Sequence, residues 1–399
     1  MINKTGLLLI AFLLLAKISI ARQPDQKAPE ASNEEKELSF GKLPNLKAAF
    51  IDTTPANRND GISVGNLSAS ANKEMILELA KEIADNQHGV YDGLLILHRN
   101  KLVFESYYNR GRVDLPHFQA SATKAYTSLV LGRAMQLGYL TMDDLNKPVI
   151  SFLKELDPSK FVEGADEITL HKALTMRGGL NISKEDKEKF KNNPDMLKGQ
   201  GLVQSLLEHS EPITKLSQVY YYGNYNPRLT MQVINAVVPG TAQDFIKTEL
   251  LDKLGITNYV WNDEVSGLPE AGWNVTMTAR DMAKLGMLAL NNGKWNGEQL
   301  IPEAYVTKAI HRIVRHSYDD NFDDDGRVTN TGYGYYWWVS DLESHGKKYF
   351  STSAIGGGGQ YVSLIKELDL IIVATAHDRR YQTLNMTADR IIPAFINKD

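Results

Sequence analysis

Ser121-Ala122-Thr123-Lys124-Ala125-Tyr126-Thr127-Ser128-Leu129-Val130-Leu131-Gly132-Arg133-Ala134-Met135-Gln136-Leu137-Gly138 is the stretch on which the reading of this 399-residue chain turns. Ala125, Tyr126, Leu129, Val130, Leu131, Ala134, Met135 and Leu137 would cover most of a helical surface. The spacing therefore predicts a helix over 121–137 that lies at the centre of the fold, with Gly138 as a left-handed stop. Lys124 stands one turn after Ser121, on the same face. A serine hydroxyl attacks a carbonyl near neutral pH only if something takes its proton. A lysine can do so once burial disfavours its ammonium form, and the positive end of the helix favours negative charge beside Ser121. Ser121 is thus a candidate nucleophile and Lys124 its candidate base. Alone the spacing is weak, because an N-cap serine followed by a surface lysine gives the same pattern.

Upstream, Gly93–His98 and Leu102–Tyr108 read as two strands joined by Arg99-Asn100-Lys101, a hairpin. A helix is predicted from about Ser70, where Met75, Leu77, Leu79, Ala80 and Ile83 recur at helical spacings. Residues 22–48 are polar, carry three prolines and read as a tether, so 22–68 is assigned as linker and N-terminal extension. Residues 1–21 read as a signal peptide: Lys4, an apolar run over Gly6–Ala16, then Ser19-Ile20-Ala21. Export to the periplasm or beyond is the expectation, with an uncleaved anchor as the alternative. Downstream, 139–310 is mostly helical in pattern, with Thr278 as an N-cap and Asn292-Gly293 as a stop. Tyr333–Ser340, Gln360–Ile365 and Leu370–Ala376 return to strand-like composition. The expected fold is α+β: an antiparallel sheet flanked by helices and built from both ends of a domain spanning 69–399. Its α/β part covers about 69–138 and 311–399, with an all-helical region inserted at about 139–310.

Further landmarks follow the Ser-x-x-Lys helix: GYLTMDDLNKPVISFL at 138–153, ITLHKALTMRGGL at 168–180, the cluster Tyr220-Tyr221-Tyr222-Gly223-Asn224, TARDMAKLGMLALNNGKWNGEQLI at 278–301, and Gly356-Gly357-Gly358-Gly359-Gln360. In this order they resemble the β-lactamase-related serine hydrolases, whose members include class C β-lactamases, D-alanyl-D-alanine carboxypeptidases, esterases and amide hydrolases. The resemblance runs from about Gly93 to Ala376 and implies the β-lactamase/transpeptidase-like fold. It makes Tyr222 a third catalytic residue, sharing the proton with Ser121 and Lys124, with Tyr220, Tyr221 and Tyr225 as neighbouring alternatives. It implies that Asn224 bonds Lys124 and substrate. Counting back from Gln360, it places Ser351, Thr352 and Ser353 where class C enzymes carry Lys-Thr-Gly, so the cation that would meet a substrate carboxylate is missing. Ser351, Ser353, Ala354, Gly356 and Gly357 are the substrate-side candidates, and the N–H groups of Ala354 and Ser121 the oxyanion donors. The activity implied is ester or amide cleavage through an acyl-Ser121 intermediate, an esterase ahead of a β-lactamase or carboxypeptidase. A penicillin-binding receptor that acylates without turnover is the rival from another class.

Composition bounds the rest. The chain is 43% hydrophobic and 23% charged, as expected of a globular protein, and its net charge of −4 carries no basic run to hold nucleic acid. It has no cysteine, which excludes disulfides, a thiol nucleophile and a Cys-anchored lipid. Its nine histidines show no metal-type spacing, and no metal or cofactor is expected. Oligomeric state is not readable, and after signal cleavage no membrane span is expected. Gly61-Ile62-Ser63-Val64-Gly65 matches a nucleophile elbow, but loop-type residues precede it where that elbow needs a buried strand. Asn321–Gly326 has the acidic spacing of a calcium loop without its closing glutamate, and reads as a solvated loop.

Overall fold

A computed structural model describes residues 27–315, 326–378 and 382–396. The proposed signal peptide and most of the acidic loop lie outside the described residues. One sheet dominates. Its strands are β1 (Phe50–Asp52), β2 (Ser63–Val64), β3 (Tyr91–His98), β4 (Lys101–Tyr107), β5 (Val314–Arg315), β6 (Val328–Tyr333), β7 (Trp338–Ser344), β8 (Lys347–Gly356), β9 (Gln360–Ile365) and β10 (Leu370–Ala376). They run β1-β4-β3-β10-β9-β8-β7-β6-β5, antiparallel throughout, while β2 adds to β4 in parallel. The β3–β4 hairpin is closed by Arg99 and Asn100, both at positive φ, the two-residue turn whose twist suits antiparallel strands. The pairing of β3 with β10 joins the two ends of the domain as the sequence predicts.

Both faces of the sheet are covered, which is why β3 and β10 are almost continuously apolar. Leu94, Ile96 and Ile372 face helix α1 (Lys73–Ala84) and the C-terminal helical run Thr383–Ile396. Leu95, Leu97, Val362 and Val373 face helices α2 (Thr123–Gln136) and α4 (Ala279–Leu290), in one core with Leu129, Met282 and Leu285. Each such fully buried Leu or Ile contributes about 1.5–3 kcal/mol of transfer free energy. Helix α3 (Tyr225–Val237) centres the inserted region. Thr278 caps α4 by accepting from the Asp281 N–H, and Gly138 ends α2's exit at φ +82°. Among the described residues no helix is long and apolar enough to cross a membrane.

The structure corrects the sequence reading in three places. Residues 27–68 are no free tether. Ser32 and Glu35 form a capping box, Glu35 accepts from Arg112 at 2.7 Å, and β1 pairs with β4, so this segment completes the sheet edge. Polar composition hid this because the segment is held by ion pairs and backbone bonds rather than by an apolar face. Second, the 139–310 region is not all helix: its Tyr259–Trp261 and Val275–Met277 join His117–Phe118, from before it, in a small sheet, and α4 packs on the main sheet. Third, Tyr333–Ser340 is two strands broken at Gly334–Trp337. Tyr336 sits there at φ +66° with its hydroxyl 2.7 Å from Thr230 Oγ1, while Tyr335 OH lies 2.8 Å from His171 Nδ1. The aromatics plug the seam between sheet and inserted region instead of extending a strand.

Candidate active site

Ser121 occupies a 3₁₀ turn, Ala120–Ala122, that leads directly into α2. Ala120 is held at φ +45°, a costly conformation for a residue with a Cβ. Its surroundings enforce it. Gln119 N–H donates to Val275 O at 2.8 Å, Gln119 Nε2 to His117 O at 2.7 Å, and Tyr126 OH to Gln119 Oε1 at 2.9 Å. The turn is pinned on three sides. The Ser121 N–H lies in the first turn of the helix and has no hydrogen-bond acceptor among the described residues.

Lys124 follows at the start of α2 and is 1% exposed. Its Nζ lies 3.1 Å from Ser121 Oγ and donates to Gly272 O at 2.8 Å. Burial lowers its pKa to about 7; the Glu270 carboxylate opposes this and the Arg228 guanidinium adds to it. Glu270 is itself buried, accepting from Gly272 N–H at 2.9 Å and from Arg228 Nη2 at 3.1 Å. Thr127 Oγ1 donates to Ala271 O at 2.9 Å, so the loop Glu270–Gly272 is tied to the same helix that carries the lysine. A neutral amine so placed keeps one N–H on Gly272 O and turns its lone pair to the serine hydroxyl.

Of the three consecutive tyrosines it is Tyr222 whose ring meets Lys124, with Nζ 4.9 Å from the ring centroid. Tyr222 packs on Trp338 at 5.2 Å and Tyr333 at 6.1 Å. Tyr221 is largely exposed, and Tyr220 is set against Tyr333 and Trp338. The loop is propped from below by the 168–180 motif, where Tyr221 N–H donates to Met176 O at 2.9 Å and Gly178 N–H to Asn226 Oδ1 at 3.1 Å. Asn224 starts α3 with its side-chain oxygen packed against Gly272. The two bonds that Lys124 makes go to Ser121 and to the Gly272 carbonyl, so Asn224 stands beside the carbonyl partner rather than on the amine.

The strand that fronts the serine is β8. Its partner β7 begins at Trp338, opposite Ser353, so Ala354, Ile355 and Gly356 run on without a neighbour on that side. This free length lies against the Ser121 turn, and a Cβ on Gly356 would collide with the Gln119 carbonyl. Ala354 and Gly356 are therefore brought to the Ser121 turn, and the exposed Gly357 follows them into the next turn. Ser351 and Ser353 are not. Their hydroxyls are buried, 3.3 Å from each other, with Ser353 donating to Ser363 at 2.9 Å. By strand alternation they share the face of Ile355 and Tyr361, which belong to the core under α1, whereas Ala354 belongs to the core of α2. The serine pair is structural polar filling. The part of the strand that meets the Ser121 turn is Ala354–Gly356, and no charged side chain stands on it.

Glu270, Arg228 and Gly272 were missed by sequence reasoning. Glu-Ala-Gly in a loop carries no spacing signal, and only folding brings it under α2. The Gly61–Gly65 match has Ser63 exposed within the two-residue β2 itself, not on a turn out of a buried strand, and only the four-residue helix Leu67–Ser70 follows it.

Residues 78–392 match the family model described as Beta-lactamase. The chain belongs to the β-lactamase family. It is a serine-hydrolase-type enzyme of that family, with the family's mixed sheet-and-helix fold. A curated relative, an uncharacterized protein of Alkalihalophilus pseudofirmus, is 23% identical over 274 residues, covering 62% of this chain and 70% of its own. Among solved structures, a class C β-lactamase superposes with TM-score 0.57 at 13% identity, covering 81% of this chain and 94% of its own. A D-stereospecific amidohydrolase from Streptomyces gives 0.54 at 16% identity, over 77% and 96%. At such identities these structures establish the fold alone.

Proposed function

We propose that this enzyme is an exported serine hydrolase that cleaves an ester or amide through an acyl-Ser121 intermediate. One observation carries the reading: an amine 3.1 Å from the Ser121 hydroxyl on a side chain almost wholly removed from water. In the proposed mechanism Ser121 Oγ attacks the substrate carbonyl as its proton passes to Lys124 Nζ. The carbonyl oxygen becomes an oxyanion facing the Ser121 N–H and the free edge of β8. As the intermediate collapses, the carbon–leaving-group bond breaks and the leaving group takes the proton, with Tyr222 placed to share its transfer. Water then attacks the acyl-serine and regenerates Ser121. An ester or amide of uncharged character is favoured over a β-lactam or a D-Ala-D-Ala peptide, because Ala354–Gly356 offer no cation to a carboxylate. The apolar run at Gly6–Ala16 supports export.

The test is a time course of p-nitrophenyl acetate hydrolysis with wild type and Ser121→Ala. Continuous turnover, lost by at least about 10³-fold in Ser121→Ala, is the expected result. A single stoichiometric burst would describe a receptor instead, and full activity in Ser121→Ala would overturn the nucleophile.

A further inference from the structure

Behind Lys124 a line of charged groups runs back through Gly272 into the inserted region. Gly272 O accepts from Lys124 Nζ at 2.8 Å, and Gly272 N–H donates to Glu270 Oε1 at 2.9 Å. The other oxygen of that carboxylate accepts from Arg228 Nη2 at 3.1 Å. Arg228 Nε lies 3.2 Å from Glu264 Oε2, an ion pair outside hydrogen-bond geometry, and Glu264 Oε1 accepts from the Ser266 hydroxyl. The side chains of Glu270 and Glu264 are 3% and 4% exposed and that of Arg228 22%, so water and salt screen these charges little.

The same line ties two elements together. Arg228 stands in the opening turn of α3, and its N–H donates to Asn224 O at 3.3 Å, two residues from Tyr222. Glu270 is fixed by its backbone, with its carbonyl accepting from Trp261 Nε1 and its N–H donating to Asn262 O, each at 2.9 Å. Arg228 therefore fastens the Tyr222–Asn224 segment to the loop whose carbonyl holds the lysine.

The groups that face Lys124 come from three sides. Its own helix start brings the Ser121 hydroxyl, the Glu270–Gly272 loop brings a carbonyl and a carboxylate, and the segment leading into α3 brings the Tyr222 ring and the Arg228 guanidinium. Glu264 and Tyr225 act on Arg228, and Ala354–Gly356 of β8 carry no charge. A carboxylate near an amine favours the ammonium, and a second cation on that carboxylate undoes the effect.

We propose that Arg228 is a positioning residue of this site: it offsets the Glu270 charge that would otherwise hold Lys124 as an ammonium, and it keeps Glu270 on Gly272 so that the amine stays at Ser121. The assignment rests on Lys124 being the base that forms acyl-Ser121.

Two measurements test it. One is the rate of Ser121 labelling by a fluorophosphonate against pH. The other is the urea midpoint of each protein relative to its own Lys124→Met counterpart against pH, which needs no catalysis. In Arg228→Met the labelling midpoint should rise by about one pH unit, and the plateau above it should fall as the amine loses its placement. The climb of stability with pH should begin about one unit later, because the folded chain keeps the Lys124 proton to higher pH. Arg228→Lys, which returns the cation without the fork, should restore the midpoint and leave the plateau low. Slower labelling with both pH dependences unmoved in Arg228→Met would make the residue merely structural and overturn the proposal, as would a midpoint that Arg228→Lys fails to bring back. If Arg228→Met does not fold, Arg228→Met/Glu270→Gln against Glu270→Gln decides: the double variant should have the higher midpoint, and equal midpoints overturn the assignment. A shifted stability curve without labelling of Ser121 would sink the acyl-Ser121 reading and keep Arg228; labelling with a midpoint that Arg228→Met leaves in place would do the reverse.

Discussion

At Lys124 two environments compete. Burial drives the amine toward its neutral form, and the Glu270 carboxylate, itself engaged by Arg228, pulls it back toward the ammonium; the balance falls at about 7. Glu270→Gln removes the carboxylate that opposes burial in that balance, so the midpoint of the pH–acylation profile should move to lower pH. A midpoint that rises would contradict the assignment of Glu270. The same burial has a stability consequence. Lys124 titrates near 7 in the folded chain and near its ordinary value of about 10.4 in the unfolded one, so between those limits the unfolded state binds more protons. Wild-type stability should therefore climb with pH from about 7 to 10 relative to Lys124→Met, measured as urea midpoints across that range. A difference that is flat or falls across it would mean the lysine is not buried neutral. Ser121 and Lys124 were legible because their spacing is local. Glu270 and Gly272 were not, because the Lys124–Gly272 bond joins residues 148 positions apart.

Among elements, the decisive one is the free end of β8. It outruns β7 and meets the Ser121 turn, and Gly356 permits that approach because any Cβ there would strike the Gln119 carbonyl. Gly356→Ala should force strand and turn apart, lowering kcat/KM by about 10²-fold or more through displacement of the reacting groups. The chain should still fold, with a stability loss of about 1–3 kcal/mol read from thermal unfolding. Retention of full activity would show that β8 does not frame the site. The element scale also explains what could be read in advance. The hairpin β3–β4, helix α2 and the return strands β9 and β10 announced themselves by apolar period and turn residues. The mistaken placement of Ser351 and Ser353 arose because a motif count gives position along a strand but not which face a side chain takes. Their burial beside Ser363 shows that the useful face starts at Ala354.

Across the whole molecule, the N-terminal segment is clamped to the core through Arg280. This buried guanidinium donates to Glu105 at 2.9 and 3.0 Å, to Asp60 at 2.7 Å and to Ala56 O at 3.0 Å. Arg280→Met leaves the buried Glu105 without its charged partner, only the Tyr107 hydroxyl still donating to it, and should cost about 3–5 kcal/mol in chemical unfolding. By contrast Arg58→Ala, which removes a pair to the exposed Glu30, should cost under about 1 kcal/mol. Equal losses from the two would refute the clamp. Composition alone could not reveal it, since a segment fixed by charge pairs reads as a solvated linker. The sheet, the inserted helices and the Glu270–Gly272 loop converge on one outcome, a buried lysine held against a partly buried serine. The most direct test is the second-order rate of Ser121 labelling by a fluorophosphonate as a function of pH, with the modified peptide identified by mass. The account predicts a rate that rises through a single midpoint near 7 and loses that midpoint in Lys124→Met. Labelling that maps away from Ser121, or a midpoint that persists without Lys124, would contradict it.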